Sequence, residues 1–200
     1  MNKFITFEGI DGAGKSTLAS RLNEWLINKN IPVLLTQEPT GSEFGQQIKH
    51  LLLDIKIQPQ TEFILYTADR IEHIKTLIEP ELKTDKFVIC DRYLDSSLAY
   101  QDYGQDVDIS WMESINQNLL LPEVTFLIDI PAQVGLKRQK YQQKFEQLGV
   151  EFLEKVRFGY LQIAQKEPGR IITLDGLQST DILLGLVVEK IEQKYLNISK

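Results

Sequence analysis

An α/β fold, with a parallel sheet covered by helices on both faces, is what the sequence predicts, and three observations predict it. Short apolar runs alternate with longer amphipathic segments along the chain, the pattern of buried strands separated by crossover helices. A glycine-rich stretch joins the first apolar run to the first amphipathic one. Pro32, Pro39, Pro59, Pro80, Pro122, Pro131 and Pro168 all fall at segment edges, where a residue without an N–H is tolerated.

Taken in order, the first strand covers 3–8, where Phe4-Ile5-Thr6-Phe7 is apolar and β-prone up to Glu8. The first helix covers 16–29, with Leu18, Leu22, Trp25 and Leu26 recurring at helical spacing. A strand at 33–36 precedes helices at 43–53 and 62–78, the latter with Pro80 at its edge. Strands at 87–90 and 124–130 flank a helix at 109–120. Helices at 132–141 and 151–165, a fifth strand at 170–174 and a helix at 180–195 complete the series. The 200 residues suit one domain, 1–200, and no repeat, low-complexity tract or linker divides it.

Residues 9–16 read G-I-D-G-A-G-K-S, a complete G-x-x-x-x-G-K-[ST] loop set between a strand and a helix N-terminus. That context makes the fold a P-loop NTPase with a five-stranded parallel sheet. The loop's N–H groups and the positive helix end converge on an anion. Gly9, Ile10, Asp11, Gly12, Ala13, Gly14, Lys15, Ser16 and Thr17 are therefore the expected triphosphate-binding residues. Lys15 offers a point charge to the outer phosphates, and Ser16 a hydroxyl to Mg²⁺.

Composition narrows the function. A balance of 22 Lys+Arg against 28 Asp+Glu, net −6, with a pI near 5.1, leaves no electrostatic footprint for nucleic acid or an anionic membrane. Bound phosphates must then be held by a local cluster. A single cysteine, Cys90, excludes internal disulfides and fits a reducing compartment. The N-terminal apolar stretch is too short for a signal peptide, and no stretch could span a bilayer. A cytoplasmic protein is expected.

Ligands on such a sheet bind beyond the carboxyl ends of the strands. Asp91 closes the third strand, the usual place for a carboxylate in an Mg²⁺ shell; a helix cap or turn is the competing reading. Arg92 can grip a phosphate through two parallel bonds, which implies a second phosphorylated substrate. Tyr66 and Arg70 stand four apart on one helix face, able to stack on a base and hydrogen-bond its edge. Taken alone, the plainer reading prevails: a tyrosine in the core rim and an arginine paired to Asp69 or to solvent. His73 reads as a surface or capping residue.

The segments F-E-G-I-D-G-A-G-K-S-T, E-P-T-G-S, Y-T-A-D-R-x-x-H-x-x-x-x-I-x-P and D-R-Y-x-D-S-S-x-A-Y-Q occur in this order. Through them the chain resembles the thymidylate kinases, within the nucleoside monophosphate kinases. G-L-K-R and E-F-L-E-K-V-R-x-G-Y-L resemble that family's lid and following helix. The likeness spans nearly the whole chain, and D-R-Y-x-D-S-S-x-A-Y-Q is its most specific part.

The resemblance implies a homodimer packed through helices, and transfer of the ATP γ-phosphoryl to dTMP with Mg²⁺, in dTTP biosynthesis. It implies that Arg92 holds the dTMP phosphate, that Tyr66 stacks on thymine, and that Arg70 meets O4. Ser97, directly or through water, would reach N3, with Ser96 and Gln101 in the same set. Tyr100 would press on the deoxyribose and exclude a 2′-hydroxyl, and Asp11 would contact the 3′-hydroxyl or the metal shell. Glu38 and Pro39 would shape the pocket floor. Lys15, Asp91, Arg92 and Arg138 make up the catalytic set, Ser16 and Asp91 the metal set, and Asp129 receives no catalytic role.

Departures stand beside the likeness. Gln37-Glu38-Pro39-Thr40-Gly41-Ser42 occupies the place of the family's R-E-P-G-G-T, so an arginine is missing, and Lys49 stands where an arginine is common. The lid, about 137–149, keeps only Arg138, Lys140 and Lys144 for the phosphates, and Arg138 is the expected contact. A P-loop kinase for another nucleotide or small metabolite is the nearest alternative. A GTPase switch is disfavoured because no N-K-x-D element occurs. A non-catalytic ATP-binding module is disfavoured by the intact Lys15, Ser16, Asp91 and Arg92.

Overall fold

A computed structural model describes residues 2–54, 56–139 and 148–196. The five expected strands form, each shifted by no more than a residue: β1 (Phe4–Glu8), β2 (Val33–Gln37), β3 (Phe87–Asp91), β4 (Val124–Asp129) and β5 (Ile171–Asp175). All pair in parallel, in the order β2-β3-β1-β4-β5. The register Phe7↔Asp91 sets the carboxyl ends of β1 and β3 side by side, so the glycine loop and Asp91 emerge as neighbours.

Alternation along the strands divides the core. Ile5, Phe7, Phe87 and Ile89 join one apolar cluster with Leu18, Leu22 and Leu26 of α1 (Lys15–Asn28). Phe4, Val88 and Cys90 turn the other way, toward Ile74 and Ile78. Opposite faces of the central strands β1 and β3 are thus both buried, as in a sheet covered on both sides, while the edge strands β2 and β5 are partly exposed.

The remaining helices are α2 (Glu43–Asp54), α3 (Pro59–His73), α4 (Glu79–Lys83), α5 (Leu94–Ser97), α6 (Ile109–Asn116), α7 (Ala132–Arg138), α8 (Gly149–Lys166) and α9 (Thr180–Ile191). Several differ from expectation: α6 ends at Asn116 and not at 120, and α7 ends at Arg138, with Gln139 extended, and not at 141. Pro80 does not end its helix, because a widened π-helical turn at Ile74–Ile78 connects α3 to α4 and the chain stays helical to Lys83. Proline removes a donor and crowds the carbonyl four residues back; the wide turn relieves both. After β3, α5 continues as π-helical turns through Leu98–Gly104, where apolar periodicity gives no sign of a helix. This helix packs on α8 and gives its polar side chains to the region beyond the strand ends.

A buried ion pair ties α5 to the far edge of the sheet. Asp95, 1% exposed, accepts from both terminal nitrogens of Arg170 at 2.7 and 2.8 Å. Arg170 also donates to Thr125 Oγ1 at 2.9 Å, which lies 2.7 Å from Thr6 Oγ1. Removing one member leaves an uncompensated buried charge. Asp95→Ala is expected to cost about 3 kcal/mol of stability, measured by urea unfolding. A loss below about 1 kcal/mol would mean that Arg170 turns out to water.

Candidate active site

The strand ends of β1 and β3, the loop after β2, and helices α3, α5 and α8 bring their polar residues together. Glu8, the last residue of β1, is fully buried. Its Oε1 accepts from the N–H of Tyr93 at 2.8 Å and of Ser96 at 3.3 Å; its Oε2 accepts from Ser96 Oγ at 2.6 Å and Tyr160 Oη at 3.1 Å. These bonds fix the turn on which Arg92 sits. Arg92 adopts φ 68, a left-handed conformation costly for a residue with a Cβ.

The guanidinium of Arg92 donates to Asp11, to Gly9 O at 3.2 Å, to Ser96 Oγ at 3.2 Å and to Tyr160 Oη at 3.4 Å. It also lies 5.4 Å from the ring centre of Tyr100. Burial opposes its charge, but the Asp11 carboxylate outweighs that and keeps the guanidinium firmly protonated. Asp11 in turn is held down to about 2: burial would raise it, and Arg92, Lys15 and the 2.8 Å bond from Tyr100 Oη prevail. Lys15 donates to Ile10 O at 2.9 Å. Burial, then the nearby Arg92, brings its ammonium down to about 8.

Ser16 donates to Oδ2 of Asp91, while the buried Oδ1 of Asp91 has no partner among the described residues. A hydroxyl beside a spare carboxylate oxygen, next to a phosphate loop, suits a hard cation held partly through water.

Helix α7 presses directly on the glycine loop. A Cβ at Gly12 (φ +80) would stand 2.3 Å from Gly135 O, and one at Gly135 2.5 Å from Asp11 O. One turn later Arg138 lies over the loop, donating to Gly12 O at 3.5 Å and to Gly176 O at 3.2 and 3.3 Å. Lys140 and Lys144 lie outside the described residues.

Behind this cluster, Arg70 is 2% exposed. It does not pair with Asp69, as its sequence neighbour suggested. It donates through Nε to Glu38 Oε2 at 2.8 Å, and through Nη2 to Tyr93 O at 3.1 Å and Ser97 Oγ at 3.0 Å. Asp69 instead accepts from the N–H and hydroxyl of Thr40 at 2.7 and 2.6 Å, which settles the threonine of the altered loop after cis-Pro39. His73 is not at the surface either: it is buried on Glu38 and Thr36. Tyr66 is half-buried. Burial pushes its phenol up to about 12, and Arg92, Asp11 and Arg70 are the charges it feels. Gln101 is buried beside Gln105, 3.4 Å away.

The donor atoms of Glu38, His73 and Cys90 lie within 4.8 Å of one another. Burial pushes the Cys90 thiol well up and it donates to Arg92 O at 3.0 Å, while Glu38 is engaged by Arg70 and His73, so each member of the trio already has a hydrogen-bond partner. Asp129, given no catalytic role, is gripped at both oxygens by Arg157 at 2.6 and 2.9 Å.

Sequence reasoning missed Glu8, Tyr160 and the buried His73. The one signal for Glu8 was an acid closing an apolar strand just before the loop. Tyr160 gave none outside a segment resembling the family's.

A family model described as thymidylate kinase matches residues 7–186. The chain belongs to the thymidylate kinase family. It is 43% identical over 182 residues to the thymidylate kinase of Wolbachia pipientis subsp. Culex pipiens, covering 89% of each chain. It is 40% identical over 198 residues to that of Acholeplasma laidlawii, covering 94% of this chain and 98% of the relative. The crystal structure of thymidylate kinase from Ehrlichia chaffeensis superposes with a TM-score of 0.77 at 33% identity, over 94% of this chain and 97% of that one. The activity of a thymidylate kinase is phosphorylation of dTMP, with ATP as co-substrate, and that is the activity of this chain.

The Glu8 cluster generates a pH prediction. Burial, reinforced by Asp95, pushes the Glu8 carboxyl up from 4.5 to about 7. Folding therefore favours the protonated form: its contribution is full below 4.5 and lost as pH rises through about 7. Glu8→Gln keeps the shape without the titration. The melting temperature of wild type relative to the variant is expected to fall between about pH 5 and pH 8. Parallel curves would assign the titration to another group.

Proposed function

We propose that the site works by direct in-line transfer between two bound nucleotides, with its own cations arranged around the moving phosphoryl group. An oxygen of the dTMP phosphate attacks the γ-phosphorus of ATP as the bond to the β–γ bridging oxygen breaks. The electron pair leaves on ADP, and dTDP is formed. The observation that carries this reading is the meeting of Lys15, from the nucleotide loop, and Arg92, from the neighbouring strand end, around Asp11. Each suits one phosphorylated substrate. The acceptor phosphate is already an anion near neutral pH, so positioning and charge neutralisation suffice.

Ser16 and Asp91 would hold Mg²⁺, which, when bound, supplies charge neutralisation at the β- and γ-phosphate oxygens. Arg138, resting on backbone carbonyls above the loop, supports a role at the ATP phosphates. The buried Nη1 of Arg70, without a partner among the described residues, supports donation to thymine O4, with Ser97 beside it for N3 and Tyr66 for stacking. Glu38 and Pro39 then form the floor. The ring of Tyr100, against Arg92, suits closure over the deoxyribose, and Ser96 and Gln101 back that wall.

A homodimer is part of this reading. Phe44 and Leu51 on α2, Ile64 and Ile71 on α3, and Trp111 on α6 are exposed apolar residues. The first two pairs recur at seven-residue spacing on adjoining helices, as a helix-packed interface needs. No helix among the described residues is long and apolar enough to cross a membrane. A cytoplasmic location goes with the reading, and the single free thiol, Cys90, supports it.

With ATP and Mg²⁺, dTMP is expected to be turned over in strong preference to dCMP, dAMP and dGMP in a coupled ADP assay. Equal turnover of the purine monophosphates would sink the base pocket. Arg92→Ala should raise KM for dTMP by an amount worth about 2–5 kcal/mol; unchanged dTMP kinetics would make Arg92 structural.

Arg138→Ala is expected to lower kcat by about tenfold or more at saturating substrates with KM for dTMP little changed, the mark of a contact made in the transition state. Wild-type kcat in that variant would pass the role to another cation.

A further inference from the structure

Glu38 divides its two carboxylate oxygens between residues one turn apart on α3. Oε2 accepts from Arg70 Nε at 2.8 Å, and Oε1 lies 3.1 Å from His73 Nδ1. On its other side, His73 Nε2 lies 2.9 Å from Thr36 Oγ1 of β2. A neutral imidazole protonated on Nδ1 satisfies every member: Nδ1–H donates to Glu38, and the Thr36 hydroxyl donates to Nε2. His73, Glu38 and Arg70 are 3%, 6% and 2% exposed, so water does not compete for these bonds.

Arg70 spends Nε on Glu38 and Nη2 on Tyr93 and Ser97, which leaves Nη1 buried without a partner among the described residues. A guanidinium is planar and rigid. Once Nε and Nη2 are fixed, the aim of Nη1 is fixed as well. We propose that His73 is a positioning residue for acceptor-base recognition: by pinning Glu38 it sets the plane of Arg70 and hence the direction of its free donors. The proposal rests on the reading of Arg70 as the contact to the base; His73 itself touches no substrate.

A cavity of about 830 Å³, lined by Thr36, Thr40, Phe44, Gln47, His73 and Leu77, adjoins the imidazole. Removing the ring would admit water from that side to Oε1 of Glu38, and the carboxylate could then rotate away from Arg70.

The test compares His73→Ala, His73→Asn, His73→Gln and Arg70→Ala in the full-length enzyme. The amide of an asparagine reaches roughly the place of Nδ1 and that of a glutamine roughly the place of Nε2. Asparagine therefore keeps the Glu38 bond, and glutamine only the Thr36 bond. Readouts are KM for dTMP, KM for ATP, and the ratio of kcat/KM for dTMP over dCMP, whose 4-amino group cannot accept from Arg70.

His73→Ala is expected to raise KM for dTMP about tenfold, the worth of one hydrogen bond to a charged group, with KM for ATP unchanged. The dTMP-over-dCMP ratio should fall with it, and His73→Asn should restore both where His73→Gln does not. Should His73→Ala fail to fold, the asparagine and glutamine variants alone decide. Rescue by glutamine and not asparagine overturns the proposal and leaves His73 as a packing residue between β2 and α3. So does an unchanged ratio in the His73 variants while Arg70→Ala collapses it. An unchanged ratio in Arg70→Ala instead removes the base-reading role of Arg70 itself, and the proposal with it.

Discussion

A buried carboxylate that accepts four hydrogen bonds holds the two halves of this active site in one frame. Glu8 ends the central strand, and its oxygens collect the N–H groups of Tyr93 and Ser96, the Ser96 hydroxyl and the Tyr160 phenol. Sheet, α5 and α8 are thereby joined at one point. The same bonds hold the turn that carries Arg92 in a left-handed conformation, which a free chain would abandon. Ser96 and Tyr160 then return the favour by meeting the Arg92 guanidinium directly. In the proposed mechanism this arginine is already in place before any substrate arrives, so little ordering cost is left for binding.

The electrostatics follow from that frame. Gathering Lys15 and Arg92 in a buried space is costly, and burial first, then repulsion from Arg92, brings the Lys15 pKa down. Asp11, inside the glycine loop, sits between them and carries the compensating charge. The chain is acidic overall, yet it gathers these cations beyond the strand ends. In the proposed mechanism local arrangement, and not net charge, does the selecting.

Much of the frame was legible from the residues. Strand positions followed from apolar runs, and the glycine loop from its flanking strand and helix, because both signals are local. Pro80 misled because its cost is decided by a wide turn that depends on packing of Ile74 and Ile78. Helix α5 was hidden because only Leu94 of its four residues is apolar and joins the core, while Asp95, Ser96 and Ser97 pair with Arg170, Glu8 and Arg70. His73 was misread as surface because its partners, Thr36 and Glu38, stand on another strand and loop; nothing near it in the chain announces them. Arg70 was assigned a neighbour in sequence and found one in space. The family likeness named Ser96, but its hydroxyl is spent on Glu8, a duty visible only in three dimensions.

The contact between Gly12 and Gly135 has a mechanical consequence. Because α7 meets the phosphate loop backbone to backbone, its seating is indexed by atoms that every residue possesses. Side chains farther along can change without losing that reference point. The same contact works as a stop: α7 cannot sink further toward the loop. Arg138, one turn beyond, inherits a fixed lower limit to its height above the loop, and its bonds to Gly12 O and Gly176 O hold it there.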